Sequence, residues 1–169
     1  VDRTLLRHFL AAIAYRTQKA LRGAPAHYPD FGAGQQLRTP VEILRHMTSV
    51  LGYARTFFVG GSYPFHPDPL PTFADEQERF HDMLGALDAL LEQGAIANEL
   101  TDDQLLQGPL ADVMTHVGQL ALLRRLAGAP IPPENFIHAT VRVGQLGSAQ
   151  AEPAAPDAVW REAPPPAND

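Results

Sequence analysis

The sequence contains no cysteine. Disulfide stapling, thiolate zinc sites and a cysteine nucleophile are therefore excluded. It also lacks a concentrated run of basic residues. Arg124-Arg125 and Arg16/Lys19/Arg22 are the nearest approach, and the net charge is −6 with a pI near 5.6. Nucleic acid and anionic membranes both need a positive footprint, so neither is an expected partner. No apolar run reaches the ~18 residues of a membrane span. Residues 1–20 carry Arg3, Arg7, His8, Arg16 and Lys19 among their apolar positions, the pattern of an amphipathic helix and not of a secretory leader. Glycine-rich phosphate loops, a GxSxG serine signature, internal repeats and strand-like alternation of convincing length are missing, although "PIPPENFIHATVRVGQL" has room for a short strand or a turn of helix. An acidic, soluble, cytoplasmic protein is the expectation.

What is present points to helices. The 169 residues suffice for one cored domain. Leu5, Leu6, Phe9, Ile13 and Ala20 repeat at helical spacing over about 3–22, before Gly23 and Pro25 stop the run. "RTPVE" opens a second helix, with Thr39 as N-cap, Pro40 at N1 and Glu42 closing a capping box. It runs to about Phe58. "SYPFHPDPLPT" then forms an extended connection, because proline lacks the amide proton that helices need. A third helix spans about Thr72 to Gln93, with Phe80, Leu84, Leu87 and Leu91 as its stripe. A short capped turn at Thr101 precedes a fourth, which starts at Gly108-Pro109 and stops at Gly128. Four helices of this length define an all-α, four-helix bundle over 1–128. Residues 129–169 hold half of the 16 prolines and the sole tryptophan, Trp160. They read as an extended tail that packs on the bundle or on a partner subunit.

The fourth helix has a polar interruption. Asp112, His116 and Gln119 fall at i, i+4 and i+7, where an inward face should be aliphatic. Bundles build metal sites from such residues on facing helices. His46, near the Ile43/Met47/Val50 stripe of the second helix, would complete a two-histidine, one-carboxylate set. Such a set leaves positions open for water or substrate, and without thiolates it suits zinc, nickel, manganese or ferrous iron. Gln119 and Tyr53 are candidate donors behind or beside the ligands, because a metal-bound imidazole needs a partner on its other nitrogen. His81, one position off the Phe80/Leu84 stripe, could border the site and handle protons. His138 could be carried over the bundle mouth by the tail. The plainer alternative is a hydrogen-bonded core network, with Asp112 paired to His116 along one helix or stabilising the helix dipole.

"THVGQLALLRRLAGAP" resembles the last-helix signature of the DinB-like (YfiT-like) four-helix bundle family, roughly HxxxHxGQ before a leucine- and arginine-rich turn. "TPVEILRHMTSVLGYAR" resembles that family's second helix. The resemblance covers most of residues 3–128. It implies an up-down-down-up bundle, often a homodimer, with a divalent metal held by three histidines. His46 and His116 take two of those positions. Asp112 stands where the first histidine of HxxxH would be, a departure that lowers the charge of the site and alters its metal preference or abolishes binding. The resemblance also implies a low-molecular-weight thiol cosubstrate, acidified by the metal in S-transferases and isomerases of this type, or hydrolysis by the same logic. Two classes of function follow. One is a metal-dependent enzyme acting on a small molecule. The other is a non-catalytic binding or stress accessory protein with a degenerate site.

Overall fold

The helix starts are written into three threonines. In each, the side chain at N3 bonds back to the threonine amide: Glu42 to Thr39 at 2.8 Å, Asp75 to Thr72 at 2.9 Å and Gln104 to Thr101 at 2.9 Å. Each box satisfies donors that a helix otherwise leaves unpaired. The computed structural model describes residues 2–34 and 36–163. Within them α1 spans Thr4–Leu21, α2 Pro40–Val59, α3 Phe73–Glu92, α4 Asp102–Leu105 and α5 Ala111–Leu126. The chain is mostly helical. Among the described residues the only strand-like pairing is a single bridge between Glu134 and Pro156.

The fourth helix differs from the expectation at its start. Helical structure does not begin at Gly108-Pro109 but already at Asp102, and a π-helical turn over Leu106–Leu110 joins α4 to α5. Pro109 lies inside that turn. Its missing amide proton is better tolerated in a locally widened turn than in an α-helical interior.

α1 and α2 each pack against both α3 and α5. Leu10 and Ile13, Leu44 and Met47, Leu84 and Leu87, and Leu110 and Leu120 are all fully buried between them. Burying one such side chain contributes about 1.5–3 kcal/mol, so this shared apolar interior holds the helices together. At the far end, Arg124 of α5 donates to the carbonyls of Ala20 at 3.0 Å and Arg22 at 3.1 Å. It thereby fastens the end of α1 to α5.

The proline-rich segment after α5 lies against α1 and α3. Lys19 donates to the Pro132 carbonyl at 2.7 Å and Tyr15 to Glu134 at 2.7 Å, while Arg22 donates to the Gln150 carbonyl at 2.8 Å. Arg16 stacks on the Phe136 ring at 3.7 Å. Leu146 is buried as part of the core. Trp160 is half-buried, and its indole Nε1 is shielded without a hydrogen-bond partner among the described residues. The closing "PPPAND" stretch lies outside the described residues.

Since Leu146 fills space among core residues, Leu146→Ala should lower global stability by about 2–3 kcal/mol. Val159→Ala, at a position 88% exposed, should stay within about 0.5 kcal/mol of the parent. Urea midpoints check both.

Candidate metal centre

α2 brings His46, and α5 brings Asp112, His116 and Gln119, to the seam where these two helices pack. One ligand atom each from His46, Asp112 and His116 falls within a set whose members all lie within 4.8 Å of one another. The two imidazole rings meet edge to face with centroids 4.8 Å apart. His116 Nε2 and Asp112 Oδ1 are 3.5 Å apart. Among the described residues this is the one cluster of its kind.

The inward face of α5 is narrower than its sequence pattern implies. Only His116 of the three polar residues is buried; Asp112 and Gln119 are exposed. At about 100° per residue, both lie on the flank of the stripe formed by Val113, His116, Val117 and Leu120. The ligand positions are therefore a rim feature, reachable from solvent, and not a core network.

Hydrogen bonding sets the chemistry of His116. Its Nδ1 lies 2.7 Å from Gln119 Oε1, which can only accept, so Nδ1–H donates there, and in the neutral imidazole Nε2 is the nitrogen with the lone pair. That lone pair faces the Asp112 carboxylate at a separation longer than an ordinary N–H···O bond. Two electron-pair donors facing each other are satisfied by a cation between them. Ligands bound at about 2.0–2.2 Å sit roughly 3.4 Å apart along a tetrahedral edge, which matches this pair. The widest pair of the set exceeds that edge and would close by rotation of the exposed Asp112 or of His46. Burial lowers the pKa of His46, assisted by the neighbouring Arg38 charge and His116 and opposed by Asp112. The neutral, ligating form of this imidazole is thus favoured.

Two recesses open on either side of His46. One, of about 630 Å³, includes His46, Val50, Tyr53, Phe65, Pro109 and Asp112 in its lining. The other, of about 450 Å³, includes Arg38, Arg45, His46, Phe65 and His66. The proline-rich connection forms a wall of both because it is pinned to the helices. Ser49 donates to the carbonyls of Pro64 at 2.8 Å and Phe65 at 3.1 Å. Glu76, fully buried on α3, accepts from Arg45 at 2.9 Å, from the Leu70 amide at 3.0 Å and from Arg79. Arg79 also donates to the Asp68 carbonyl at 3.0 Å. Gly52 completes the attachment: the Tyr63 ring lies so close to its Cα that a Cβ there would overlap it.

The remaining sequence candidates separate. Tyr53 lines the larger recess, and its hydroxyl makes no hydrogen bond among the described residues. His81 is elsewhere: it is buried, with Nδ1 2.6 Å from the Leu146 carbonyl, and it lines a different recess with Glu78, Asp82 and Ser148. It fastens the tail, as its position off the core stripe of α3 permits. His138 is exposed in a 3₁₀ turn whose Phe136 packs on Tyr15 of α1, and it lines neither recess beside His46. Arg38, Phe65 and His66 were not singled out from sequence. Phe65 and His66 sit among four prolines, where no periodicity marks which side chains turn inward. No family model matches the chain, and no curated protein or solved structure matches it at a significant level.

Replacing glycine by alanine within a helix ordinarily stabilises by about 1 kcal/mol. Gly52→Ala should instead destabilise by about 1–3 kcal/mol, because Tyr63 must move; thermal unfolding gives the sign. His81 supplies a pH signature. Burial holds its pKa below the ordinary 6.5, so on acidification the unfolded chain takes up a proton that the folded chain resists. Stability is then lost as pH falls below about 6.5, with a slope of at most ~1.4 kcal/mol per pH unit. His81→Gln should flatten that slope in urea titrations between pH 7.5 and 5; an unchanged slope counts against a buried neutral His81.

Proposed function

We propose that the chain is a divalent-metal-dependent enzyme acting on a small molecule, built as an up-down-down-up bundle of the DinB-like type. The observation that carries this reading is the convergence of His46, Asp112 and His116 from two helices, with all three ligand atoms within 4.8 Å of one another. The donor set supports it: two imidazoles and one carboxylate, without thiolates, suit zinc, nickel, manganese or ferrous iron and leave positions for exogenous ligands. When bound, such a cation supplies a Lewis acid that acidifies a thiol or a water. Thiol-dependent S-transfer or isomerisation, and hydrolysis, are the reaction classes proposed.

The protein's own groups have distinct parts in this scheme. Gln119 fixes the tautomer of His116 and so keeps Nε2 free to ligate. Tyr53 lines the larger recess with a hydroxyl that makes no hydrogen bond among the described residues, and there it can donate to or relay a proton from a substrate. The pinned connection walls the recesses. We propose a cytoplasmic homodimer as the working form, on the resemblance alone. No helix among the described residues is long and apolar enough to cross a membrane.

A second reading has one observation in its favour. The Asp112–His116 pair, with Asp112 half-exposed, also matches a simple ion pair along one helix. That would leave a binding or accessory protein with a degenerate site. Elemental analysis of untagged protein separates the two. Metal dependence requires close to one divalent ion per chain, lost in His116→Ala. Gln119→Leu should weaken metal affinity by about 10–100-fold. Protein that stays metal-free when grown and purified with ample metal overturns the enzyme reading. A thiol-transfer screen on the metal-loaded chain then tests the reaction class.

A further inference from the structure

The recess on the Arg38 side of His46 carries a charge with no partner among the described residues. Arg38 is exposed and forms no ion pair or side-chain hydrogen bond among the described residues. It lines the recess that holds His46, and it also lines a third recess, of about 590 Å³, that holds His116 and Gln119. One guanidinium thus borders both imidazoles of the proposed metal centre. Arg45, its neighbour in the first recess, is ion-paired at 2.9 Å with Glu76, a carboxylate it shares with Arg79. Two carboxylates share that recess. Glu42 is occupied at the α2 cap, accepting from the Thr39 amide at 2.8 Å and its hydroxyl at 3.1 Å. Asp68 is the other, and its repulsion of an anionic ligand grows with the ligand's negative charge.

The opposite side of His46 is apolar in character. Tyr53 is 57% exposed and Phe65 66% exposed, and both line the larger recess with Val50 and Pro109. Aromatic rings left open to water around a concave site are covered when an apolar ligand binds. Phe65 and His46 belong to both recesses, so a ligand that fills one can reach the other past them.

We propose that the site takes a molecule with an apolar body and a single carboxylate. Arg38 holds the carboxylate, and the body lies between Tyr53, Phe65 and Pro109. A planar guanidinium with no partner among the described residues matches a carboxylate in a two-pronged contact. This inference rests on the preceding reading for the identity of the working site, while the Arg38 contact itself is measurable with or without metal.

Calorimetric titration of the full chain tests it, both chelator-treated and zinc-loaded, with 3-phenylpropionate, its neutral amide 3-phenylpropanamide, and phenyl phosphate as probes. The acid should bind about tenfold more tightly than the amide, the effect of one charge-assisted contact. Arg38→Met should bring acid and amide together by weakening the acid, with the circular dichroism unchanged, since Arg38 makes no ion pair or side-chain hydrogen bond among the described residues. Phenyl phosphate should bind no better than the acid. Equal binding of acid and amide to the unaltered chain overturns the inference, and so does tenfold tighter binding of phenyl phosphate. A preference for the acid that survives Arg38→Met but vanishes on removing zinc also overturns it, while leaving the metal reading intact. An Arg38-dependent preference in a chain that takes up no metal upholds the carboxylate contact and removes the metal reading.

Discussion

The Glu76 carboxylate is the tie on which the site depends. It is fully buried and joins three parts of the chain: Arg45 of α2, Arg79 of its own α3, and the backbone of the proline-rich connection at Leu70. A carboxylate withdrawn from water requires such complete partnering, because an unmatched buried charge is far costlier than the bonds it replaces. The requirement works in both directions. With Glu76 in place the connection cannot drift from the helices, and the walls of the two recesses beside His46 are fixed. Ser49 and the flat approach of Tyr63 to Gly52 hold the same segment from the α2 side.

Much of the architecture is legible in the amino-acid order because helix ends carry local chemistry. Thr39-Pro40 with Glu42 sets the start of α2, and Gly23 takes the left-handed conformation just beyond α1, as a stop glycine should. The apolar stripes of α1 and α3 identify the core. The π turn over Leu106–Leu110 was not legible: its widened geometry has no residue signature apart from the proline it shelters. The lie of the tail along α1 and α3 was equally hidden. Its contacts run largely from side chains such as Lys19 and Arg22 to backbone carbonyls, which any residue supplies.

For the site, spacing identifies the ligand set but not its degree of exposure. His46, Asp112 and His116 are drawn together because α2 packs on α5. The periodicity of α5 nevertheless places Asp112 and Gln119 too far inward. A difference of about a quarter turn separates a core polar network from a solvent-facing rim, and helical phase read from residue types alone does not resolve it. His81 shows the converse: an off-stripe histidine compatible with a proton-handling role is occupied with the tail. Arg38 escapes attention because a single arginine before a helix cap is ordinary until the neighbouring surfaces are known.

The placement of Trp160 has an optical consequence. It is the only indole in the chain, and it rides on the tail, half-covered, rather than among the packed helices. Its intrinsic fluorescence is therefore a reporter of whether the tail is seated. The helices themselves are visible through their peptide absorption. The two signals come from separate parts of the molecule and distinguish detachment of the strap from melting of the interior without any added label.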